Sequence, residues 1–411
     1  MLADNNSLVH TLLQQGVQMP NPASVTIDPA LDPERIAAGA LIHGGCRIMG
    51  ERTSIGPGCI LGRGAPGTLD NCQLGARVNL VRGYFSEAAF LNRASLGSGA
   101  HVRAGTLCEE ESSTAHAVGL KQTILFPHVA LGSLINFCEV LVAGGTSRQN
   151  HSEIGSAYVH FNYTPHQDKA TASLLGDEPH GVMLDQAPIF LGGQGGLVGP
   201  AQVAFGAIVA AGTIVRQDIS QAGLFSPPPK PQPPPLPYQP GVYHAINRII
   251  SNNLAYIGNL YALRAWYQQV RALFLNGDSF QSACLQGALE RLASILQERQ
   301  QRLQQFAEKI PQSLKLVQAT ADASKLNAQP FIQQQKLIER WPLIKEQLAQ
   351  LPETAGHIAQ RDQLLAALAK IPANTDYLNA IKSLEPAARA AGTSWLQSIV
   401  EAATGLWNKV L

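Results

Sequence analysis

Apolar residues and glycines recur every six residues along the first half of this 411-residue chain. Ile36, Ile42 and Ile48 keep this spacing, and glycines follow the same rhythm at positions 44, 50, 56 and 62. An α-helix repeats at about 3.6 residues and a β-strand at about 2, so a period of six fits neither element. Three such units form one triangular turn of a parallel β-helix, with the apolar residue of each unit inside and small residues at the corners. The repeat therefore predicts a β-solenoid.

Changes in composition divide the chain into four segments. We expect a partly helical N-terminal segment over 1–23, a mainly β parallel β-helix over 24–223, a proline-rich linker over 224–241 and an all-α helical domain over 242–411. The linker holds nine prolines in the fourteen residues from Pro227 to Pro240, which favours an extended polyproline II spacer, with an SH3-type docking site as the alternative. Because the core of a solenoid lies between neighbouring turns, we expect a chain truncated after Phe225 to fold alone.

Helical periodicity dominates the last segment. It predicts helices over about 246–270, 279–308, 326–350, 357–370, 374–390 and 393–409, interrupted near Pro311, Pro330, Pro352 and Pro372. The apolar stripes of these helices indicate core or subunit contacts rather than a ligand site. The sequence therefore places no chemistry in this domain.

Composition argues against several classes of protein. Charged residues make up only 14% of the chain and the formal net charge is +1, which argues against a nucleic-acid partner. Residues 1–240 hold 13 Lys and Arg against 17 Asp and Glu, a net of −4, whereas residues 241–411 hold 17 against 12, a net of +5. No signal peptide and no run of 18 apolar residues is present, which argues against a membrane partner. Six cysteines without a CxxC pair indicate reduced, mostly buried thiols, so we expect a cytoplasmic protein.

Dense polar residues interrupt the repeat between residues 103 and 216, where we expect the functional site. Lys121 and Lys169 are the only lysines before residue 225, which suggests anion contacts rather than a solubilising role. Arg103, Lys121 and Glu139 are spaced by 18 residues, one full turn, so without intervening loops they would stack on one edge about 4.8 Å apart. A cation pair on one edge suits a phosphate, and an adjacent His or Glu could serve as a general base. A second series with the same spacing joins Ser133, His151 and Lys169.

Several motifs resemble those of a known family. The segment EIGSAYVHFNY at 153–163 looks like that family's motif before the acetyl-CoA site, and the repeats from 188 to 219 follow its closing coils. Arg103-Ala-Gly and Lys121 match its sugar-phosphate Arg and Lys, and the stretch 173–177 makes Lys169 the counterpart of a further substrate lysine. On these residues, 1–223 resembles the left-handed β-helix acetyltransferase domain of the bifunctional N-acetylglucosamine-1-phosphate uridyltransferase/glucosamine-1-phosphate acetyltransferases, which are hexapeptide-repeat acyltransferases.

This resemblance implies an acyl-CoA-dependent N-acyltransferase that acts on an amino-sugar phosphate or nucleotide sugar. Acetyl-CoA would be the co-substrate, no metal is predicted, and the site would lie between the subunits of a homotrimer. The implied substrate-binding residues are Arg103, Lys121, Asn162, Tyr163 and Lys169, to which we add Arg148 from the polar segment; Gly193 and Ala211 would bind the cofactor.

The chain departs from the family pattern in three places. The family's catalytic His, in a Gly-His-Leu-Thr-Tyr run, has no match in GSLINFCE at 132–139, residues 178–187 look inserted, and we expect this chain to lack the family's nucleotidyltransferase domain. We therefore expect any uridyltransferase or pyrophosphorylase label to be inherited by similarity. His151 is our first candidate for the general base, Glu139 the second and His160 the third, with backbone N–H groups or Asn162 stabilising the oxyanion.

Two other functions stay open at this point. A non-catalytic sugar-nucleotide-binding or scaffold protein with the same fold would explain the missing His, the proline-rich segment and the helical domain. A metal-dependent enzyme of the γ-carbonic-anhydrase kind would use histidines from adjacent subunits. Histidines at 116, 128, 151, 160 and 166 do not show the ligand spacing of such enzymes.

Overall fold

A computed structural model of the protein describes residues 4–159, 168–227, 239–320, 329–354 and 356–408. It contains a parallel β-solenoid of about 11 turns followed by an all-helical region. Both parts of the predicted fold class are therefore confirmed.

The solenoid has three flat faces, which we call A, B and C in the order in which the chain visits them. Strands are numbered in chain order. Face A contains β1 (Thr26–Ile27), β3 (Arg47–Met49), β6 (Gly67–Asp70), β19 (Ala157–Val159), β22 (Gly195–Leu197) and β25 (Ile214–Val215). Face B contains β4 (Ser54–Ile55), β7 (Gln73–Leu74), β9 (Ala88–Phe90), β11 (Thr106–Cys108), β20 (Ser173–Leu175) and β23 (Gln202–Val203).

Face C contains β2 (Leu41–Ile42), β5 (Ile60–Leu61), β12 (Ser113–Thr114), β14 (Ala130–Leu131), β18 (Glu153–Ile154), β21 (Phe190–Leu191), β24 (Ala207–Val209) and β26 (Gly223–Phe225). Four longer strands bend round a corner: β8 (Asn79–Ser86) and β10 (Ser95–Val102) join C to A, and β13 (Val118–Leu125) and β15 (Ile135–Val142) join A to B. A small antiparallel hairpin, β16 (Gly145–Ser147) with β17 (Asn150–His151), leaves the solenoid between faces B and C.

The six-residue repeat determines which residues fill the interior of the solenoid. On face A, for example, Val102 pairs with Leu120 and Leu120 pairs with Phe137, and all three side chains are fully buried. The first pair is 18 residues apart and the second 17. The turn length therefore varies by one residue while the inward apolar position is kept.

The chain contains eight α-helices within its described residues. They are α1 (Asn5–Gln14), α2 (Glu178–Gly181), α3 (Ile246–Gln269), α4 (Ser279–Thr320), α5 (Gln329–Thr354), α6 (Ile358–Leu368), α7 (Tyr377–Ser383) and α8 (Pro386–Asn408). The predicted break near Pro311 is wrong, because α4 continues through this residue, which removes a single backbone donor from a long, well-packed helix. The predicted helices 374–390 and 393–409 are also placed differently, since the break falls at 384–385 and Pro386 begins α8, where proline is favoured. The segment 178–187 that looks inserted in the sequence begins with the short helix α2.

The helical region packs on face B. The outward-facing residues Leu107, Ile124, Leu141 and Leu174 of this face are at most 2% exposed, so both sides of its strands are apolar and buried. Helix α4 contacts β4, β7, β9 and β11, and α3 contacts β20. Burying each of these side chains contributes about 1.5–3 kcal/mol, so this contact is a substantial second core.

Helix α4 follows the edge between faces A and B. Arg291 and Arg299, eight residues apart on one side of α4, donate to Glu87 at 3.0 Å and to Glu139 at 2.8 Å. Both glutamates sit at corners in the left-handed backbone region, with φ of 51° and 61°. Acidic corner residues thus face basic helical residues, which gives a structural reason for the opposite net charges of the two parts of the chain.

Candidate active site

The edge between faces A and B, called the AB edge, carries the predicted cations. The Arg103 N–H donates to the Leu120 carbonyl at 2.8 Å, which places Arg103 and Lys121 at equivalent positions of successive turns. Lys121 then pairs with Cys138 in the next turn, and Arg103 Nη2 donates to Cys138 Sγ at 3.7 Å. Arg103 is exposed and Lys121 half-buried. The AB edge therefore presents two accessible cations beside a thiol.

Glu139 does not stack on Lys121 as its spacing predicts. The turn from Leu120 to Phe137 is 17 residues long, so Cys138 takes the stacked position and Glu139 turns toward the helical region. Its carboxylate accepts from Arg299 Nη1 at 2.8 Å, from Arg299 Nη2 at 3.0 Å and from the Thr171 hydroxyl at 2.8 Å. Both carboxylate oxygens of Glu139 are occupied and the residue is 5% exposed.

Lys169 lies at the same edge as the other two cations. Its carbonyl accepts from Arg299 Nη1 at 3.0 Å, and Arg299 Nη2 donates to Gln122 Oε1 at 2.9 Å. Arg299 thus links the backbone of Lys169 to Gln122 and Glu139, which follow Lys121 and Cys138 in the chain. The structure brings together the three predicted sugar-phosphate cations, with Lys169 exposed.

Helix α4 adds two charged residues that the sequence analysis did not single out. Arg302 donates to Glu298 Oε1 through Nη2 at 2.8 Å and through Nε at 2.9 Å. Burial of Glu298 opposes its ionisation, but the hydrogen bond from Arg302 and the charges of Arg302, Arg299 and Lys121 lower its pKa overall. The sequence signal was the four-residue spacing of Glu298 and Arg302, which places both on one side of a helix.

His151 and Arg148 lie in the β16–β17 hairpin, at the edge between faces B and C. His151 Nδ1 donates to the Arg148 carbonyl at 2.8 Å. Arg148 is exposed. Face B and its covering helices separate this hairpin from the AB edge, so within one chain the structure does not bring His151 to the three cations.

Gly193 and Ala211 lie together at the third edge, between faces C and A. The Gly212 N–H donates to the Gly193 carbonyl at 2.9 Å. A Cβ on Gly155 would lie 2.5 Å from the backbone nitrogen of Gly193, and one on Gly192 would collide with the backbone of Ala211. These turns stack too closely for side chains at Gly155 and Gly192, so backbone forms this part of the edge beside face A.

Face A joins the AB edge, which carries the three cations, to the edge that carries Gly193 and Ala211. It exposes Tyr158 (55%) and Ile214 (45%), whereas face B is covered.

The predicted residues His160, Asn162 and Tyr163 lie outside the described residues. Ser133, whose hydroxyl is 2.9 Å from His116 Nδ1, lies at the edge between faces C and A. The second spacing series, Ser133, His151 and Lys169, is therefore wrong, because inserted loops place its members on three different edges.

The described residues contain no group of three or more His, Cys, Asp or Glu side chains arranged to hold a metal ion. None of the described helices combines the length and apolar character needed to cross a bilayer. All six cysteines are unpaired, and Cys138 is the one that is not buried.

Comparison with known proteins supports a relationship for about half of the chain. The bifunctional protein GlmU of Thermotoga petrophila is 25% identical over 217 residues, which is 53% of this chain and 43% of that protein. The proteins of the same name from Pelobacter propionicus and Nocardia farcinica are 25% identical over 214 residues and 26% over 220, covering 52% and 54% of this chain.

The chain spans 40–43% of the length of these curated relatives. No protein-family model matches it. Together with the solenoid, these similarities confirm the predicted resemblance, which concerns the β-helix half of the chain.

Proposed function

We propose that this protein is an acyl-CoA-dependent N-acyltransferase whose acceptor is an amino-sugar phosphate or nucleotide sugar. The observation that carries the proposal is that Arg103, Lys121 and Lys169 lie at the same edge of the solenoid. Three cations at one edge favour an anionic ligand, and Arg and Lys are suited to a phosphate. The similarity to GlmU proteins supports the same proposal.

Acetyl-CoA is the proposed co-substrate, at the backbone of Gly193 and Ala211. These two residues and the cations lie at opposite sides of face A, so one chain does not bring them into a single pocket. A homotrimer in which face A of one subunit meets a neighbour would close this distance. The exposed apolar side chains of face A support that arrangement.

In the proposed reaction the acceptor amine attacks the thioester carbonyl and the CoA thiol leaves. A base removes the proton from the amine, and backbone N–H groups or Asn162 stabilise the oxyanion. His151 is the proposed base, acting on the acceptor bound at the AB edge of a neighbouring subunit. Glu139 is better suited to holding Arg299 than to taking a proton, since Arg299 and Thr171 occupy its oxygens.

A non-catalytic sugar-phosphate-binding or scaffold protein is the second candidate. The observation that favours it is the ion pair of Glu139, which leaves the described part of the AB edge without a free carboxylate or imidazole beside Lys121. Such a protein would bind the sugar phosphate but would not need acetyl-CoA. The unpaired cysteines fit a reducing compartment, and we place either activity in the cytoplasm.

Calorimetric titration of acetyl-CoA into the purified protein, with and without glucosamine 1-phosphate, tests the proposal. Micromolar binding that strengthens with the sugar phosphate would support the transferase and lead to an acceptor screen. Binding of the sugar phosphate alone would favour the scaffold. Binding of neither ligand, where a GlmU protein binds both, would overturn the acyltransferase proposal.

A further inference from the structure

Face A presents two parallel columns of outward residues beside the AB edge. The edge column takes one residue from each of three successive turns: Arg103, Lys121 and Cys138. The inner column lies two residues earlier on the same three strands and consists of His101, Gly119 and Asn136. The residue between the columns is fully buried in each strand, so both columns face outward. The inner column is therefore the part of face A that adjoins the proposed phosphate site.

Gly119 occupies the middle of the inner column, and the fold does not require a glycine there. Its φ angle lies outside the left-handed region. The nearest atom to a Cβ at this position would be Asn136 Oδ1, at 3.2 Å, which is the end of a side chain that can rotate. By contrast, a Cβ on Gly97 would lie 2.6 Å from the carbonyl oxygen of Ala115.

The strand pairing at Gly119 is also regular. It pairs with His101 on one side and with Asn136 on the other, without a bulge at either contact. Glycine weakens the interior of a strand, and it often marks a bulge, a bend or the close approach of a backbone or a ligand. Since bulge, bend and backbone contact do not account for Gly119, the gap that it leaves is suited to a ligand.

His101 and Asn136 border this gap with polar groups. His101 is exposed, and on the side away from Gly119 its ring lies against Tyr84, with ring centres 5.4 Å apart. Asn136 is half-buried. Within the described part of the chain, neither the imidazole of His101 nor the amide of Asn136 has a hydrogen-bond partner. An imidazole and a carboxamide each offer a donor and an acceptor, as the hydroxyl and amino groups of an amino sugar require.

The spacing of the two columns fits a ring joined to a phosphate. They are two residues apart along each strand, which is about 7 Å. A phosphate held by Arg103 and Lys121 would therefore place an adjoining hexosamine ring over Gly119.

We propose that the sugar ring of the acceptor lies on Gly119, where His101 and Asn136 bind its polar groups. This inference rests on the proposed function and narrows the acceptor to a hexosamine whose phosphate is next to the ring.

Calorimetric titration of the full-length protein with glucosamine 1-phosphate and with inorganic phosphate tests the proposal. The natural chain should bind glucosamine 1-phosphate about tenfold tighter, because the ring adds hydrogen bonds. Gly119→Val suits a strand and fills the gap, so it should abolish this difference and leave the affinity for inorganic phosphate unchanged. His101→Ala and Asn136→Ala should each weaken glucosamine 1-phosphate binding by about fivefold, again without an effect on inorganic phosphate.

Gly64→Val is the matched control for the glycine substitution. Gly64 also lies outside the left-handed region, and its Cβ would likewise meet the end of a side chain, Val81 Cγ1, at 3.2 Å. This variant should leave both affinities unchanged. Circular dichroism checks that each variant keeps its β-rich fold, and the two alanine variants decide the question if Gly119→Val does not.

The outcomes separate this inference from the proposed function. Equal affinity of the natural chain for the two ligands, or equal effects of Gly119→Val and Gly64→Val, would overturn the position of the ring and leave the cation site standing. Unchanged glucosamine 1-phosphate binding in both alanine variants would do the same. Failure of the natural chain to bind either ligand would overturn the proposed function and this inference with it.

Discussion

Arg299 of helix α4 donates two hydrogen bonds to the carboxylate of Glu139 at the AB edge, at 2.8 and 3.0 Å, and its side chain is fully buried. The pair joins the helical region to the solenoid next to Lys121 and Cys138. The same guanidinium holds the carbonyl of Lys169. One residue of the helical region therefore fixes the geometry of an edge that belongs to the solenoid.

Replacing Arg299 by Ala should destabilise the protein strongly, by about 3–5 kcal/mol, because Glu139 would stay buried without a cationic partner. Urea unfolding measures this loss. Arg361→Ala, which breaks an exposed pair with Asp362, is the matched control and should change the free energy of unfolding by less than about 1 kcal/mol. Similar losses in the two variants would contradict the role given to the buried pair.

Lys121→Ala should abolish binding of glucosamine 1-phosphate while the proposed homotrimer stays intact. Lys121 is half-buried at the edge. Calorimetry measures binding and size-exclusion chromatography with light scattering measures assembly. Lys345→Ala on the exposed side of α5 provides the control. Unchanged binding in Lys121→Ala would remove Lys121 from the site.

Glu178 should make the protein less stable as the pH rises. Its carboxyl group is fully buried and has no hydrogen-bond partner among the described residues, and this burial, together with the charges of Asp177 and Glu109, raises its pKa well above the usual 4.5. Above about pH 4.5 the unfolded chain releases this proton while the folded chain keeps it. Stability is therefore lost with rising pH, by up to about 1.4 kcal/mol for each pH unit.

Glu178→Gln keeps the shape of the side chain and removes its titration. The free energy of unfolding of this variant, measured with urea between pH 5 and 8, should exceed that of the natural chain by a margin that grows with pH. A margin that stays constant over this range would show that Glu178 is ionised in the folded protein.

Truncation after Phe225 should give an aggregating product. The repeat alone predicts an independent solenoid, but the structure shows that the helical region covers Leu107, Ile124, Leu141 and Leu174 on face B. Exposing these side chains together creates a large apolar patch. Polar substitutions at the same four positions should restore a soluble, β-rich fragment by circular dichroism. A soluble fragment without them would mean that face B does not need its cover.

The predicted sugar-phosphate cations came from motif resemblance and solitary lysine usage, and the structure places them together. The position of Glu139 could not be found in this way, because a change of one residue in turn length moves a side chain from the edge to the helix. Glu298 and Arg302 were missed for a different reason: their helix is distant in sequence and meets the edge only by packing. The residues His160, Asn162 and Tyr163 lie outside the described residues and stay predictions.

The sequence by itself determined the solenoid and the helical domain. Each turn of a solenoid contacts mainly its neighbours, so a local period contains the information for the whole stack, and helical periodicity is equally local. Only the tertiary structure decided which face the helices cover and that Arg299 meets Glu139. Those contacts join residues far apart in the chain, 160 positions apart for Arg299 and Glu139, and they follow from the shape and charge of two surfaces that no local pattern describes.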